Sequence, residues 1–150
     1  MEKYIGVKLI SADPMTRGAL NASKGVGIPI DDPCYNDAGY KVVYEDGYVS
    51  WSPKEVFEAA YRRIDNMTFG LALEALKLGK KVCRAGWNGK GMFLLYVPSE
   101  KYGIISKIGL GIDKGNLLPW IGMKTADDKF VPWLASQTDM LSEDWQVVEA

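Results

Sequence analysis

Histidine is absent from the 150 residues, and cysteine is scarce, with only two in the chain. Without an imidazole, catalytic triads with a histidine base, histidine proton shuttles and metal sites built on histidine are excluded. A zinc site made of cysteines alone needs about four thiolates. We therefore expect no metal or cofactor, and we expect Cys34 and Cys83 to be reduced thiols packed as small apolar side chains.

An excess of charge of one sign is also missing, because eighteen basic residues stand against nineteen acidic ones. This balance disfavours binding to duplex nucleic acid. No run approaches the ~20 apolar residues of a membrane helix, and no basic and then apolar leader follows Met1. We therefore expect a cytoplasmic protein that does not contact membranes.

The first third of the chain predicts short strands separated by an irregular stretch. The alternation of Ile5, Val7 and Leu9 predicts a strand with one buried face. Residues 13–39 are rich in proline and glycine and predict a long excursion with one helical turn. "GYKVVYEDGYVSW" predicts a hairpin, with Asp46-Gly47 at the centre of a type I′ turn.

Two helices are predicted after the hairpin. In the first, Ser52 is the expected N-cap, Pro53 the first helical residue and Glu55 the partner in a capping box. The second is expected to begin at Thr68 and to end at Gly79, because threonine caps helix starts and glycine terminates helices.

The rest of the chain predicts strands near residues 81–84, 92–97 and 118–123, followed by short strands in "FVPW" and "WQVVE". Residues 102–116 lack periodicity, which is typical of a mobile or ligand-ordered segment. Helices and antiparallel strands in separate groups indicate an α+β fold, with small antiparallel sheets and two main helices. We place a domain boundary between residues 66 and 67.

The stretch "KKVCRAGWNGKGMFLLYV" contains three glycines among basic residues. It is not a phosphate loop of NTPases, because Gly91 stands where the magnesium-binding hydroxyl belongs, and it lacks the G-x-G-x-x-G order. Arg84 and Lys90 can still reach an anion, and Trp87 offers a face for stacking a base. The alternatives are a solvated basic surface, and a Trp87 that packs in the core.

Near the C-terminus, "VPWLASQTDMLSEDW" places polar residues between large apolar ones. Ser136 has no base and is not a nucleophile. Asp139, Glu143 and Asp144 are candidates for a catalytic carboxylate pair, but "SEDW" fits better as a capped turn with surface acids. A carboxylate and an amide beside Trp133 suit the recognition of a ribose and a base edge.

Residues 67–149 resemble the second described phage family of Thoeris anti-defence proteins, through "MTFGLALEALKLGKKVCRAGWNGKGMFLLYV" and "MKTADDKFVPWLASQTDMLSEDWQVV". The resemblance implies a non-enzymatic sponge, in the cytoplasm of the infected bacterium, that sequesters cyclic ADP-ribose isomers made by TIR-domain immune proteins. It also implies a small α+β domain that forms a homotetramer with ligand pockets between subunits.

The family motifs imply two walls of a ligand pocket. The first is Arg84, Trp87, Asn88, Gly89 and Lys90, and the second is Trp133, Ser136, Gln137 and Asp139. Residues 1–66 are an extension of unknown role, and 67–150 are expected to form the sponge domain.

Three alternatives to this function stay open. The first is a sponge or phosphodiesterase for cyclic dinucleotides of CBASS-type immunity. The second is a hydrolase of cyclic ADP-ribose nucleotides acting through Asp139 or Cys83. The third is an adaptor that binds a host protein through the extension.

Overall fold

The computed structural model describes residues 1–3, 6–87, 90–99 and 118–148. The backbone forms two compact units, Met1–Arg62 and Arg63–Ala150. Each contains a small antiparallel sheet and short helices, which confirms the predicted α+β class. Within the described ranges, no helix has the length and apolarity needed to cross a membrane. The segment 102–116, predicted to be mobile or ligand-ordered, lies outside the described residues.

The N-terminal unit is a three-stranded sheet with two helices. Its elements are β1 (Ser11–Pro14), α1 (Arg17–Ser23), β2 (Gly39–Val43), β3 (Val49–Pro53) and α2 (Lys54–Ala60). The strands are antiparallel in the order β1-β2-β3. Leu20 and Val42 are its fully buried apolar side chains among the described residues. The helical turn expected within residues 13–39 is confirmed as α1.

The strand predicted around Ile5, Val7 and Leu9 is wrong for the residues that can be described. Residues 6–10 have no regular structure, Val7 is 49% exposed, and Ile5 lies outside the described residues. The first strand begins at Ser11, which pairs with Val43 at the end of β2. Because the chain turns after Val43, residues before Ser11 have no β2 backbone left to pair with.

The hairpin of β2 and β3 is confirmed, but its predicted type I′ turn is wrong. Gly47 has φ 82°, whereas Asp46 keeps a negative φ. The Gly47 N–H donates to the Tyr44 carbonyl at 2.9 Å, and the Tyr44 N–H donates to the Tyr48 carbonyl at 2.9 Å. This is the three-residue loop, a type I turn followed by a left-handed glycine.

Helix α2 forms without its predicted capping box. Ser52 belongs to β3, where it pairs with Tyr40, so the helix begins at Lys54 after an N-cap at Pro53 that makes no side-chain hydrogen bond. Because Ser52 is part of the sheet, it does not cap the helix as its local sequence pattern predicted. The Phe57 ring stacks on the rings of Tyr40 and Tyr61, with centroid distances of 4.1 and 4.9 Å. The contact with Tyr40, in β2, fixes α2 on the sheet.

The C-terminal unit is a five-stranded antiparallel sheet in the order β7-β6-β5-β4-β8. Its elements are α3 (Phe69–Lys77), β4 (Lys81–Arg84), β5 (Phe93–Val97), β6 (Trp120–Lys124), β7 (Phe130–Pro132), α4 (Gln137–Met140) and β8 (Trp145–Val148). All five strands were predicted from the sequence. The last strand, β8, lies beside β4 and runs antiparallel to it, so the first residue of β8, Trp145, lies opposite Arg84, where the loop between β4 and β5 (residues 85–92, the glycine loop) begins.

Helix α3 has the predicted caps and covers one face of the sheet. The Thr68 hydroxyl accepts from the Leu71 N–H, and Gly79 adopts φ 79° after the helix end. The buried cluster between helix and sheet consists of Met67, Ala72, Leu76, Val82, Leu94 and Trp145. This packing fixes β4, from which the glycine loop leaves.

Candidate functional site

Arg84, the last residue of β4, forms ion pairs with two carboxylates from the C-terminal segment (residues 133–148). Its Nε lies 2.8 Å from Asp144 Oδ1, and its Nη1 lies 2.9 Å from Asp139 Oδ1. The side chains of Arg84 and Asp139 are only 19% and 13% exposed. Partial burial makes these charge-assisted hydrogen bonds stronger than surface ion pairs.

Asp139 also caps the short helix α4. Its carboxylate accepts from the Ser136 N–H at 3.1 Å and from the Ser136 hydroxyl at 2.6 Å, while Ser136 Oγ accepts from the Asp139 N–H at 3.1 Å. This is a capping box, which the S-x-x-D spacing could have indicated in the sequence. Desolvation opposes ionisation, but hydrogen bonds from Ser136 and Arg84 outweigh it and lower the pKa of Asp139.

Asp144 was predicted to be an ordinary surface acid, and this is wrong. It accepts hydrogen bonds from Arg84 Nε and, at 3.0 Å, from the backbone N–H of Gly86. Pairing of β8 with β4 places Trp145 opposite Arg84, so the residue before Trp145 reaches the loop. The hydrogen bond from Arg84 is the main reason that the pKa of Asp144 is lowered.

Tryptophans form the apolar part of the same site. The ring of Trp87 lies 5.6 Å from that of Trp145 and 6.3 Å from that of Trp133, both edge-on. Trp145 is fully buried, whereas Trp87 and Trp133 are half-buried. Trp87 thus packs on the core of its own unit and keeps part of its surface exposed, so its role in stacking a base stays a prediction.

The structure therefore brings the two predicted walls together. Arg84 contacts Asp139, and Trp87 contacts Trp133. Gln137 is exposed in the first turn of α4, and Lys90 is exposed in the loop. Asn88 and Gly89 lie outside the described residues.

A basic group that sequence analysis missed lies on the other side of the loop. Lys124 in β6 donates from Nζ to the Gly91 carbonyl at 3.3 Å and pairs with the exposed Asp128 at 2.7 Å. The Nζ atoms of Lys81 and Lys124 lie 4.9 and 5.8 Å from the centroid of the Phe93 ring. Lys124 was missed because it comes from a strand remote in sequence. Asp139 and Asp144 thus lie beside the first half of the loop, and Lys124 with its exposed partner Asp128 lies beside the second.

The titratable groups of the site favour binding over proton transfer. Burial is the main cause that raises the pKa of the Cys83 thiol, which opposes formation of a nucleophilic thiolate. Asp139 and Asp144 have lowered pKa values, so neither is a good proton donor near neutral pH. Within the described part of the chain, no group of three or more acidic or cysteine side chains could hold a metal ion.

Acidification is expected to destabilise the C-terminal unit through these carboxylates. Because the folded-state pKa values of Asp139 and Asp144 are lowered, their stabilisation is complete above the ordinary aspartate pKa of about 3.9. It is lost as the pH falls below that value. Urea unfolding followed from pH 7 to pH 3 should show the loss, and Asp144→Asn should show a smaller one. An identical pH dependence for both proteins would contradict the assignment of this loss to Asp144.

The fold and site define a small α+β domain in which an arginine, two carboxylates and three tryptophans tie a glycine loop to the C-terminal segment. Residues 67–148 match the Tad2-like family, described as the Thoeris anti-defense 2-like domain. The chain is also 46% identical over 86 residues to Thoeris anti-defense 2 of Bacillus phage SP01, across 55% of this chain and 94% of the relative.

The chain therefore belongs to the Thoeris anti-defense 2-like family, which confirms the resemblance found in the sequence. Residues 1–66 lie outside the family match.

Proposed function

We propose that this chain is a phage anti-Thoeris protein that binds and sequesters cyclic ADP-ribose-type signals without degrading them, in the cytoplasm of the infected bacterium. The observation that carries the proposal is the family match, which spans the loop and both walls of the candidate site. The relative from Bacillus phage SP01, covered over 94% of its length, is named for anti-defence against Thoeris.

The chemistry of the site supports a nucleotide as the ligand. Trp87 and Trp133 are half-buried aromatic side chains that can stack a base, and such stacking contributes about 1–3 kcal/mol per base. Lys90 and Lys124 stand beside the glycines and can neutralise phosphate groups. An adenine nucleotide with a pyrophosphate offers both kinds of group.

Sequestration sets a requirement for affinity. Nanomolar binding corresponds to about 12 kcal/mol, which a small ligand reaches only with near-complete enclosure. Trp87 and Trp133 give only part of their surface to their own core and leave the remainder exposed. We propose that a second subunit of a homotetramer covers this surface and completes the pocket.

Lack of turnover is part of the proposal. The raised pKa of Cys83 and the lowered pKa of Asp139 disfavour the two groups on which a hydrolase would depend. A sponge needs neither group to react.

The proposal is tested by incubating the full chain with a panel of cyclic ADP-ribose, linear ADP-ribose and a cyclic dinucleotide. Native mass spectrometry should show an oligomer that binds cyclic ADP-ribose stoichiometrically. Heating the complex should release the nucleotide intact, because the site binds without cleaving it.

Two results would contradict the sponge function. One is the recovery of a hydrolysed product at substoichiometric protein, and the other is the absence of any bound cyclic ADP-ribose. Selective binding of the cyclic dinucleotide would instead favour the alternative signal class. Val26→Ala, at a 57% exposed position outside the family match, serves as the variant that should leave binding unchanged.

A further inference from the structure

The charge of Arg84 is already engaged within the protein. Its guanidinium donates to Asp144 from Nε at 2.8 Å and from Nη2 at 3.5 Å, and to Asp139 from Nη1 at 2.9 Å. Two carboxylates outnumber one guanidinium, so the local charge around Arg84 is negative. A phosphate placed there would have to displace a carboxylate or lie beside two of them.

The same two carboxylates also hold residues at the beginning of the glycine loop. Asp144 binds Arg84 and the N–H of Gly86, and the side chain of Trp87 interacts with Asp139. The fit at Gly86 is close, because a Cβ atom there would come within 3.1 Å of Asp144 Oδ2. Asp139 and Asp144 therefore set the path of the chain from the end of β4 to Trp87.

We propose that Arg84 and Asp144 are positioning residues for the ligand site, which hold the loop and Trp87 in place and do not contact the bound nucleotide. The proposal rests on the function proposed above. The anionic groups of the ligand are then left to Lys90 of the loop and to Lys124 of β6. Lys124 Nζ donates to the Gly91 carbonyl at 3.3 Å, and its ion-pair partner Asp128 is 84% exposed and can be displaced into solvent.

The direction in which Asp144→Asn changes the affinity for the ligand distinguishes a positioning role from a purely electrostatic one. Asp144→Asn removes a negative charge next to a site for an anionic ligand, so electrostatics alone predicts tighter binding. Positioning predicts weaker binding, on the order of tenfold, because a hydrogen bond to a charged group that fixes the loop is lost. Glu143→Gln is the matched control, since it removes the same charge from the neighbouring exposed residue and should leave affinity unchanged.

Arg84→Lys supplies a second and independent variant. Lysine keeps the positive charge but cannot bridge two carboxylates with a planar fork. Positioning predicts that Arg84→Lys weakens the binding of cyclic ADP-ribose about as much as Asp144→Asn. The double variant should bind cyclic ADP-ribose with about the same affinity as the single variant that binds it less well, because both changes break the same hydrogen-bond network. Retained affinity in Arg84→Lys, or additive losses, would indicate direct contact and overturn the proposal.

A measurement without ligand keeps this test apart from the test of the proposed function. Hydrogen exchange of the Gly86 amide should be faster in Asp144→Asn than in the unaltered protein, because its acceptor is weakened. If the unaltered protein binds no nucleotide of the panel, the proposed function fails, and Gly86 exchange still shows whether Asp144 holds the loop. Faster exchange with unchanged or tighter binding would overturn the positioning role, as would unchanged exchange. Asp144→Glu, which keeps the charge but shifts the carboxylate by one methylene, provides the same two readouts if Asp144→Asn does not fold.

Discussion

Replacing Trp145 with alanine is expected to cost the C-terminal unit about 3–5 kcal/mol of its free energy of unfolding, as for other large core truncations. Trp145 has no exposed surface, and its ring packs against Phe69, Trp87 and Trp133. Its Nε1–H also donates to the Asp139 carbonyl at 2.9 Å. Because domains of this kind are stable by about 5–15 kcal/mol, much of the total stability would be lost.

Urea unfolding followed by far-UV circular dichroism measures this effect. Leu78→Ala is the control, because Leu78 is 61% exposed and its truncation should change stability by less than about 0.5 kcal/mol. Trp145→Ala should also abolish ligand binding, since Trp87 and Trp133 lose their common support. A variant as stable as the unaltered protein would show that the tryptophan cluster is not the centre of this core.

Gly39→Ala is expected to destabilise the N-terminal unit by about 1–3 kcal/mol, the usual cost of overpacking a filled site. A Cβ atom at Gly39 would collide with the Ser52 carbonyl oxygen and come within 2.5 Å of the Trp51 ring. Neither neighbour can retreat easily. Ser52 is paired in the sheet, and Trp51 Nε1–H is hydrogen-bonded to the Met15 carbonyl at 2.9 Å.

The same variant tests which part of the chain binds the ligand. The proposed function assigns binding to residues 67–148, so Gly39→Ala should destabilise the N-terminal unit and leave the affinity for cyclic ADP-ribose unchanged. Gly27→Ala is the control, because a Cβ atom there meets nothing within 4 Å. Lost affinity in Gly39→Ala alone would instead assign part of the function to the extension, as the adaptor alternative predicts.

The parts of the fold that were predictable are those whose signals are local. Thr68 and Gly79 mark the ends of α3 because capping depends on residues within one turn. Ser52 shows the limit of such signals. The sequence around Ser52 fits a helix cap, but in the structure Ser52 pairs with Tyr40 in the sheet and does not cap α2.

The candidate site was predictable in its residue types and not in its pairings. Arg84, Trp87 and Asp139 were assigned to the two walls of one site, and the structure places Arg84 in contact with Asp139. The partner Asp144 could not be found, because its approach depends on β8 adding to β4 across 60 residues of chain. Lys124 was missed for the same reason, since β6 must pair with β5 before it reaches the loop.

The place of β8 has a consequence for the order in which the protein is made. Strand β4 leaves the ribosome long before its neighbour β8, and the acceptors for Arg84 follow 55 and 60 residues later. Until then one edge of β4 is open, and open edges invite pairing with other chains. Closing so long a loop is also slow compared with forming α3. A nascent chain therefore acquires its loop geometry only after Asp144 has been synthesised, and a chain released before Asp139 would carry an exposed edge and no assembled site.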